Sequence, residues 1–469
     1  PADYVFVLIG AELPVEFLRG LGIRLEGEWT GHPLRAALLA LGALAALWLF
    51  GGHAGGSAAA LGSLPDGVRY VFGGAAAVAL AGLVRTGWRG DRWSWLALSF
   101  FTWYSVYGIK LGSGSEFWPY RGWGYGLLSF FDRGWSFWYT VLYTGLMTVF
   151  GLKALNRWGL KRRDRFQIWR FASLLSFQWI FFFLIPEFLF QRAVEFQWLP
   201  ARLAADPTFT EQAWRSYGIV YAWPLFFYTF FDSPATVWVV WGALLSFVII
   251  PVAVLFIGKR YCSWICGCGG LAETFGDRWR HLAPKGRTSI RWERMGLVVL
   301  VLAVVITALK LTYDIRHVAY GASQASLNFY RLVVDIWLVG ILPVTLYPFL
   351  GGKVWCRYWC PLAKFMEKLS WLYAKLGVSR FRITANNKCI GCNECTRNCQ
   401  VGIDVMQYAL KQEKLDNETS SCIGCGICVT VCPMDTLKFG DQEEAADAVP
   451  GPASGPAANP AHDPARVLE

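Results

Sequence analysis

The chain alternates long apolar runs with short polar, often basic, stretches. Eight of the runs reach or approach the roughly 20 residues that a helix needs to cross a bilayer. They lie near 34–51, 68–85, 93–112, 134–155, 169–190, 236–257, 295–313 and 331–350. Residues 191–235 break this rhythm. They form a long aromatic-rich connection that could hold a re-entrant helix around 217–231 or an element lying in the membrane interface. Residues 364–382 are a basic amphipathic stretch, with Lys364, Lys368, Lys375, Arg380 and Arg382 among Phe365, Leu369, Trp371, Leu372 and Leu376, suited to the membrane surface. The Ala-, Pro- and Gly-rich end, 441–469, reads as a disordered tail.

Charge orients the spans. The segment 156–168 holds Arg157, Lys161, Arg162, Arg163 and Arg165, and 278–294 holds six further Lys and Arg residues. Arg85, Arg89 and Arg92 fill 85–92, whereas 52–67 has neither Lys nor Arg. Basic loops stay on the cytoplasmic side. Eight spans then put both termini and every cysteine motif at the cytoplasmic face of the inner membrane. Glu12 and Glu16 interrupt the apolar run at 4–18, so a cleavable leader is not expected.

Composition agrees. Hydrophobic residues make up 55% of the 469 and charged residues 16%, against about 25% charged in a soluble domain. The net charge of +11 therefore speaks for loop orientation and anionic lipid, and no nucleic-acid motif points elsewhere.

The 13 cysteines carry the chemistry, and all of them lie between Cys262 and Cys432. Cys389, Cys392, Cys395 and Cys399 form a C-x2-C-x2-C-x3-C run, which Cys422, Cys425, Cys428 and Cys432 repeat before Pro433. In this two-cluster ferredoxin spacing the fourth cysteine of each run serves the other cluster. Cys389, Cys392, Cys395 and Cys432 are thus expected to hold one [4Fe–4S] cluster, and Cys422, Cys425, Cys428 and Cys399 the second. Gln400 stands where the first run would be expected to carry proline. A Cys₄ zinc site is the rival reading, and two complete ferredoxin runs speak against it.

Two further pairs follow spans: Cys262 and Cys266 in YCSWICGCGG, and Cys356 and Cys360 in VWCRYWCP. A Cys-x3-Cys pair on a helix places both sulfurs on one face. Two such pairs at equivalent positions would converge into a third, four-thiolate metal or iron–sulfur site. Cys268 is left over, either replacing one of these ligands or remaining free.

In these motifs the sequence resembles the membrane polyferredoxins of the NapH/NosR/CcoG type. The resemblance runs from the span at 236–257 to about Leu437. Gly267 in place of proline and the added Cys268 bring it closer to the NosR-like branch, without that branch's outer flavin domain. It implies a polytopic, mainly α-helical bundle with a small C-terminal α+β ferredoxin-like domain. The expected parts are an N-terminal extension at 1–130, a core membrane domain at 131–365, a surface linker at 366–384 and the dicluster domain at 385–440. It also implies electron transfer between the quinone pool, or a cytoplasmic donor, and a partner oxidoreductase or maturation system. Family members similar to this chain take part in copper-enzyme assembly, so copper reduction is an alternative, as is a redox sensor or scaffold.

Other carriers find little support. Of His32, His53, His281, His317 and His462 none falls mid-span, so no haem is expected. The stretch DSPAT at 232–236 is better read as a helix start, with Ser233 as N-cap and Pro234 in the first turn, than as a flavin attachment signal. Quinone is the natural mobile carrier. Charged residues within spans are costly and mark candidate sites. Glu187 in FLIPEFLF and His317 are the residues expected to serve a quinol and proton site. Asp335 and the cluster Lys310, Asp314 and Arg316 read as packing or interface charges.

Overall fold

The computed structural model describes residues 31–50, 66–111, 135–226, 228–232, 235–318 and 320–440. Each of the eight apolar runs coincides with a helix, because in lipid a backbone can satisfy its polar groups only within its own segment. The helices are α1 (Pro33–Phe50), α2 (Asp66–Trp88), α3 (Arg92–Leu111) and α4 (Trp135–Leu155). They continue with α5 (Arg165–Glu195), α6 (Thr236–Trp264), a short α7 (Gly267–Thr274), α8 (Met295–Arg316), α9 (Tyr320–Leu350) and α10 (Pro361–Lys375). Among the described residues, five helical stretches are long and apolar enough to cross a membrane: Tyr70–Trp88, Arg165–Glu195, Thr236–Trp264, Thr288–Arg316 and Tyr320–Leu350. The other three expected spans are helices that miss that threshold among the described residues. Val298, Val301, Phe247, Val252 and Leu142 point outward, an apolar surface that water would not tolerate.

α1, α2 and α3 pack together through small residues, with Ala36, Ala40, Ala43 and Ala76 buried. Asp91 caps α3, accepting from Trp93 N at 3.0 Å and Ser94 N at 3.1 Å, and pairs with Arg35 at 2.9 Å. Trp95 Nε1 donates to Val344 O of α9 (3.1 Å), which ties this extension to the core.

α5 starts at Asp164, whose carboxylate accepts from Phe166 N and Gln167 N. Its 31 residues extend for roughly 46 Å, well beyond a hydrocarbon core of about 30 Å. Pro186 sits within a π-helical segment, Gln178–Leu189, where widened turns take up the lost hydrogen bond.

Among its described residues, the connection at 191–235 forms no further span and no continuous re-entrant helix. It breaks into short turns of helix at Ala201–Ala204, Pro207–Thr210, Ala213–Ile219 and Tyr228–Phe231. Val220, Ala222 and Leu225 within it are fully buried. Arg215 holds it shut, donating to Thr229 O (2.8 Å) and Asp232 O (2.9 Å). The expected cap at 233–234 lies outside the described residues. α6 begins at Thr236, with Ala235 in the N-cap position and no side-chain cap, so the helix starts two residues later than Ser233 and Pro234 imply.

The C-terminal module is closed by an antiparallel pair, β1 (Ile383–Ala385) and β2 (Leu437–Phe439), in the register Ile383↔Phe439. Its own small core comprises Phe381, Ile383, Cys395, Val405, Ala409, Leu415, Cys422 and Leu437. The expected tail, 441–469, lies outside the described residues, as do most of the residues before α1.

Candidate iron–sulfur sites

The two ferredoxin runs fold alike. Two residues after the first cysteine of each, Gly391 and Gly424 take positive φ (+70° and +60°). Two residues later Asn393 and Gly426 are left-handed N-caps of the short helices Glu394–Arg397 and Ile427–Val431. In the second run the Gly424 turn aims its N–H at Cys422 Sγ (3.4 Å), and after that run Thr436 N donates to Cys432 Sγ (3.3 Å). Cys389, Cys392, Cys395 and Cys432 line one pocket, with Met406, Pro433 and Leu437 among its apolar walls. The last cysteine of the second run thus sits with the first three of the first run. Cys422, Cys425 and Cys399 all act electrostatically on Cys428, so the second quartet also gathers. Burial pushes the Cys395 thiol up to about 11 and the Cys422 thiol up to about 12. Bound to a metal in the proton's place, these thiolates would no longer carry this penalty.

The membrane-edge pairs converge as well. Cys262, Cys266 and Cys360 share one buried core with the partly buried Cys268 and Cys356. Cys268 meets Cys266 side chain to side chain and lies within electrostatic reach of Cys356 and Cys360. All five thiols therefore lie in this one core, Cys268 beside the four expected. All 13 cysteines are free.

Beside these thiols lies a buried charge network. Glu273 pairs with Arg280 (2.6 Å), Arg170 (3.0 Å) and Lys353 (3.1 Å), and all four side chains are buried. Asp277 pairs with Arg280 (2.9 Å) and accepts from Trp158 Nε1 (2.9 Å). Burial alone would raise the Glu273 carboxyl, but Lys353, Arg170 and Arg280 override it and hold the group well below the usual range. Three buried cations face two carboxylates, a surplus that is costly by itself. An anionic thiolate cluster next to it would balance the charge. The donor set and its surroundings therefore fit iron–sulfur ligation.

The dicluster module docks on this edge. Gln167 Nε2 donates to Cys425 O (3.0 Å), and Ser263 Oγ to Ile423 O (3.2 Å). The Arg260 guanidinium lies over the Phe439 ring at 4.5 Å. Gln400, which stands where proline is expected, sets its amide against Arg280, and with its oxygen turned to that side it would accept from Nε (3.3 Å) and Nη2 (3.1 Å). Cys399 and Cys425 pack against the core that holds the membrane-edge thiols, whereas Cys392 is exposed.

The charged residues of the outer ends have separate surroundings. Glu187 is half-buried in the π-helical segment and within electrostatic reach of Tyr217. His317 is exposed, in a left-handed C-cap of α8, edge-on to Tyr313 at 6.2 Å. Lys310 pairs with Asp314 (2.5 Å) and Asp232 (3.2 Å), and Arg331 also pairs with Asp232 (3.3 Å). α10 buries Leu362, Ala363 and Met366 against α6 and α8 and leaves Trp371 and Leu372 exposed, as is Leu376 just past its end.

Lys259, Lys353, Glu273 and Glu367 were not among the residues singled out from sequence, and Arg280 was read only as one of the basic residues of 278–294. A signal existed: Gly-Lys-x-aromatic-Cys occurs at both Gly258–Cys262 and Gly352–Cys356, and a glutamate follows seven residues after Cys266 and after Cys360.

Comparison with known proteins agrees with this geometry. Residues 383–439 match the 4Fe-4S dicluster domain family, and 239–285 and 336–379 match a 4Fe-4S binding domain family. The chain is 28% identical over 218 residues to the putative electron transport protein YccM of Escherichia coli (strain K12), which covers 44% of this chain and 58% of that protein. A protein of Methanocaldococcus jannaschii is 30% identical over 200 residues, 41% of this chain and 76% of its own length. The ferredoxin-type protein NapH of Escherichia coli (strain K12) is 27% identical over 211 residues, 44% of this chain and 68% of its own. No solved structure matches. The repeated motifs, the paired ferredoxin runs and these relatives together show that the chain belongs to the ferredoxin-type [4Fe–4S] membrane polyferredoxins of the NapH kind.

Proposed function

We propose that this chain is a membrane-bound relay that passes single electrons through three iron–sulfur centres at the cytoplasmic face of the inner membrane, exchanging them with the quinone pool and a partner redox system. Cys389, Cys392, Cys395 and Cys432 would hold the first [4Fe–4S] cluster, and Cys422, Cys425, Cys428 and Cys399 the second. Cys262, Cys266, Cys356 and Cys360 would hold the third. The observation that carries this reading is the shared core: the membrane-edge thiols pack in one cluster with Cys399 and Cys425. When bound, each cluster accepts and releases one electron. The chain's own residues bury or partly bury the membrane-edge thiols and the second quartet, supply N–H donors to sulfur, and set the second quartet between the membrane-edge site and the more exposed first. The relay order is therefore membrane-edge site, second cluster, first cluster.

Glu187 is proposed as the proton acceptor of a quinol site. Half-burial in a widened helical segment and its reach to Tyr217 support this role; the exposed His317 would serve only at the interface. Glu187→Gln is expected to slow quinol-dependent cluster reduction with iron content unchanged. Normal quinol kinetics in that variant would remove Glu187 from the site.

Anaerobic purification with iron and sulfide analysis tests the centre count: about twelve irons for three cubanes, about eight for the ferredoxin pair alone. The fifth thiol favours one second reading, metal handling by copper reduction. On that reading Cys268→Ser abolishes Cu(II) reduction with no loss of iron.

A further inference from the structure

The two Cys-x3-Cys motifs are copies of one unit, and the copying extends past the cysteines. Lys259 and Lys353, each three residues before the first cysteine, have matching backbones (φ/ψ −79°/27° and −98°/24°). Cys266 and Cys360 are both extended N-caps (−61°/132° and −70°/117°) of the helices that follow, α7 and α10. The turn bonds repeat too: Cys266 N donates to Tyr261 O and Cys360 N to Trp355 O, each at 3.0 Å.

The ion pairs are reciprocal. Lys353 of the second motif meets Glu273 of α7 at 3.1 Å, and Lys259 of the first meets Glu367 of α10 at 3.0 Å. Each lysine thus crosses to the glutamate that follows the other motif's cysteines. Both lysines are almost wholly buried, at 1% and 2% exposure. Lys353 Nζ also donates to Cys262 O (3.3 Å) and Gly269 O (3.2 Å), the backbone that carries the first motif's thiols. Both lysines act electrostatically on the Cys262 sulfur, and Lys259 acts as well on Cys422 of the second quartet.

We propose that Lys353 and Lys259 are the positioning cations of the membrane-edge site, locking the two motif copies together by exchanged ion pairs and raising the site's reduction potential by their fixed charge. This rests on reading the membrane-edge thiols as a [4Fe–4S] site. One-electron reduction adds one negative charge to the four-thiolate cluster. A buried cation stabilises that reduced form, because burial leaves the attraction poorly screened. Glu273 and Glu367 hold the lysines in place and offset part of their charge, so each glutamate lowers the potential that its lysine raises.

The test is an EPR-monitored redox titration of the anaerobically purified full chain with dithionite. The membrane-edge signal is assigned by its loss in Cys356→Ser. Lys353→Met is expected to lower the reduced-to-oxidised ratio at fixed ambient potential about tenfold, about 59 mV for one electron. Lys353→Arg should restore the unmodified value, and Glu273→Gln should shift the potential the opposite way. If Lys353→Met fails to hold the third cluster, Lys259→Met carries the same expected sign. About twelve irons with unshifted potentials, or shifts of one sign in Lys353→Met and Glu273→Gln, overturns the role of the lysines. About eight irons in the unmodified protein overturns the membrane-edge cluster itself, and the proposal with it.

Discussion

At the scale of single residues, the buried charges decide most. Burial alone would raise the Glu367 carboxyl, yet Lys259 and Lys364 pull it down to about 2. A carboxyl depressed in the fold stabilises the protein above its unfolded value and loses that contribution as pH falls toward the folded value. Glu367→Gln is therefore expected to cost roughly 3 kcal/mol near neutral pH. The gap between variant and parent should hold down to about pH 5 and close as pH approaches 2, read by denaturation in detergent across that range. Gln400 offers a second case. Its amide oxygen faces the buried Arg280, and loss of an acceptor from a buried charged donor costs about 1–3 kcal/mol. Gln400→Ala should loosen the docked module, with faster proteolysis between α10 and β1 and unchanged cluster spectra. Cleavage at the parent's rate would show that the contact does not hold the module.

At the scale of elements, α7 and α10 matter as spacers. Each sets a glutamate two turns beyond its N-cap cysteine, on the face that meets the other motif's lysine. One alanine inserted after Leu362 turns Glu367 by about 100° and aims it away from Lys259. Iron is expected to fall from about twelve to about eight per chain, with the ferredoxin signals intact. The same insertion after Ser370, beyond the glutamate, should leave iron unchanged. The helices themselves were legible in the sequence, since every apolar run coincides with one. The 191–235 connection was not. Its aromatic content fits an interfacial helix and a buried plug equally well, and only the packing of Val220, Ala222 and Leu225 in the core separates the two.

At the scale of the molecule, the proposed relay order rests on where the two quartets lie. The second quartet lies against the membrane domain through Gln167, Ser263 and Arg280, while the first borders an open cavity and exposes Cys392. Cys392→Ser should therefore leave quinol reduction of the other two centres at its normal rate and stop transfer to a soluble acceptor. Slowed quinol reduction of the remaining centres would reverse the proposed order.

The sequence by itself determined the helical class, the family and the eight-cysteine dicluster pattern. Each of these is written in local form: an unbroken apolar run, or a cysteine spacing within a dozen residues. Tertiary structure alone decided that a fifth thiol joins the membrane-edge group, that Gln400 faces a buried arginine, and that each lysine takes the other motif's glutamate. Lys259 and Glu367 are 108 residues apart in the chain. Their pairing depends on how α6 and α10 pack, and a charge in a sequence does not reveal which distant charge shares its dry pocket.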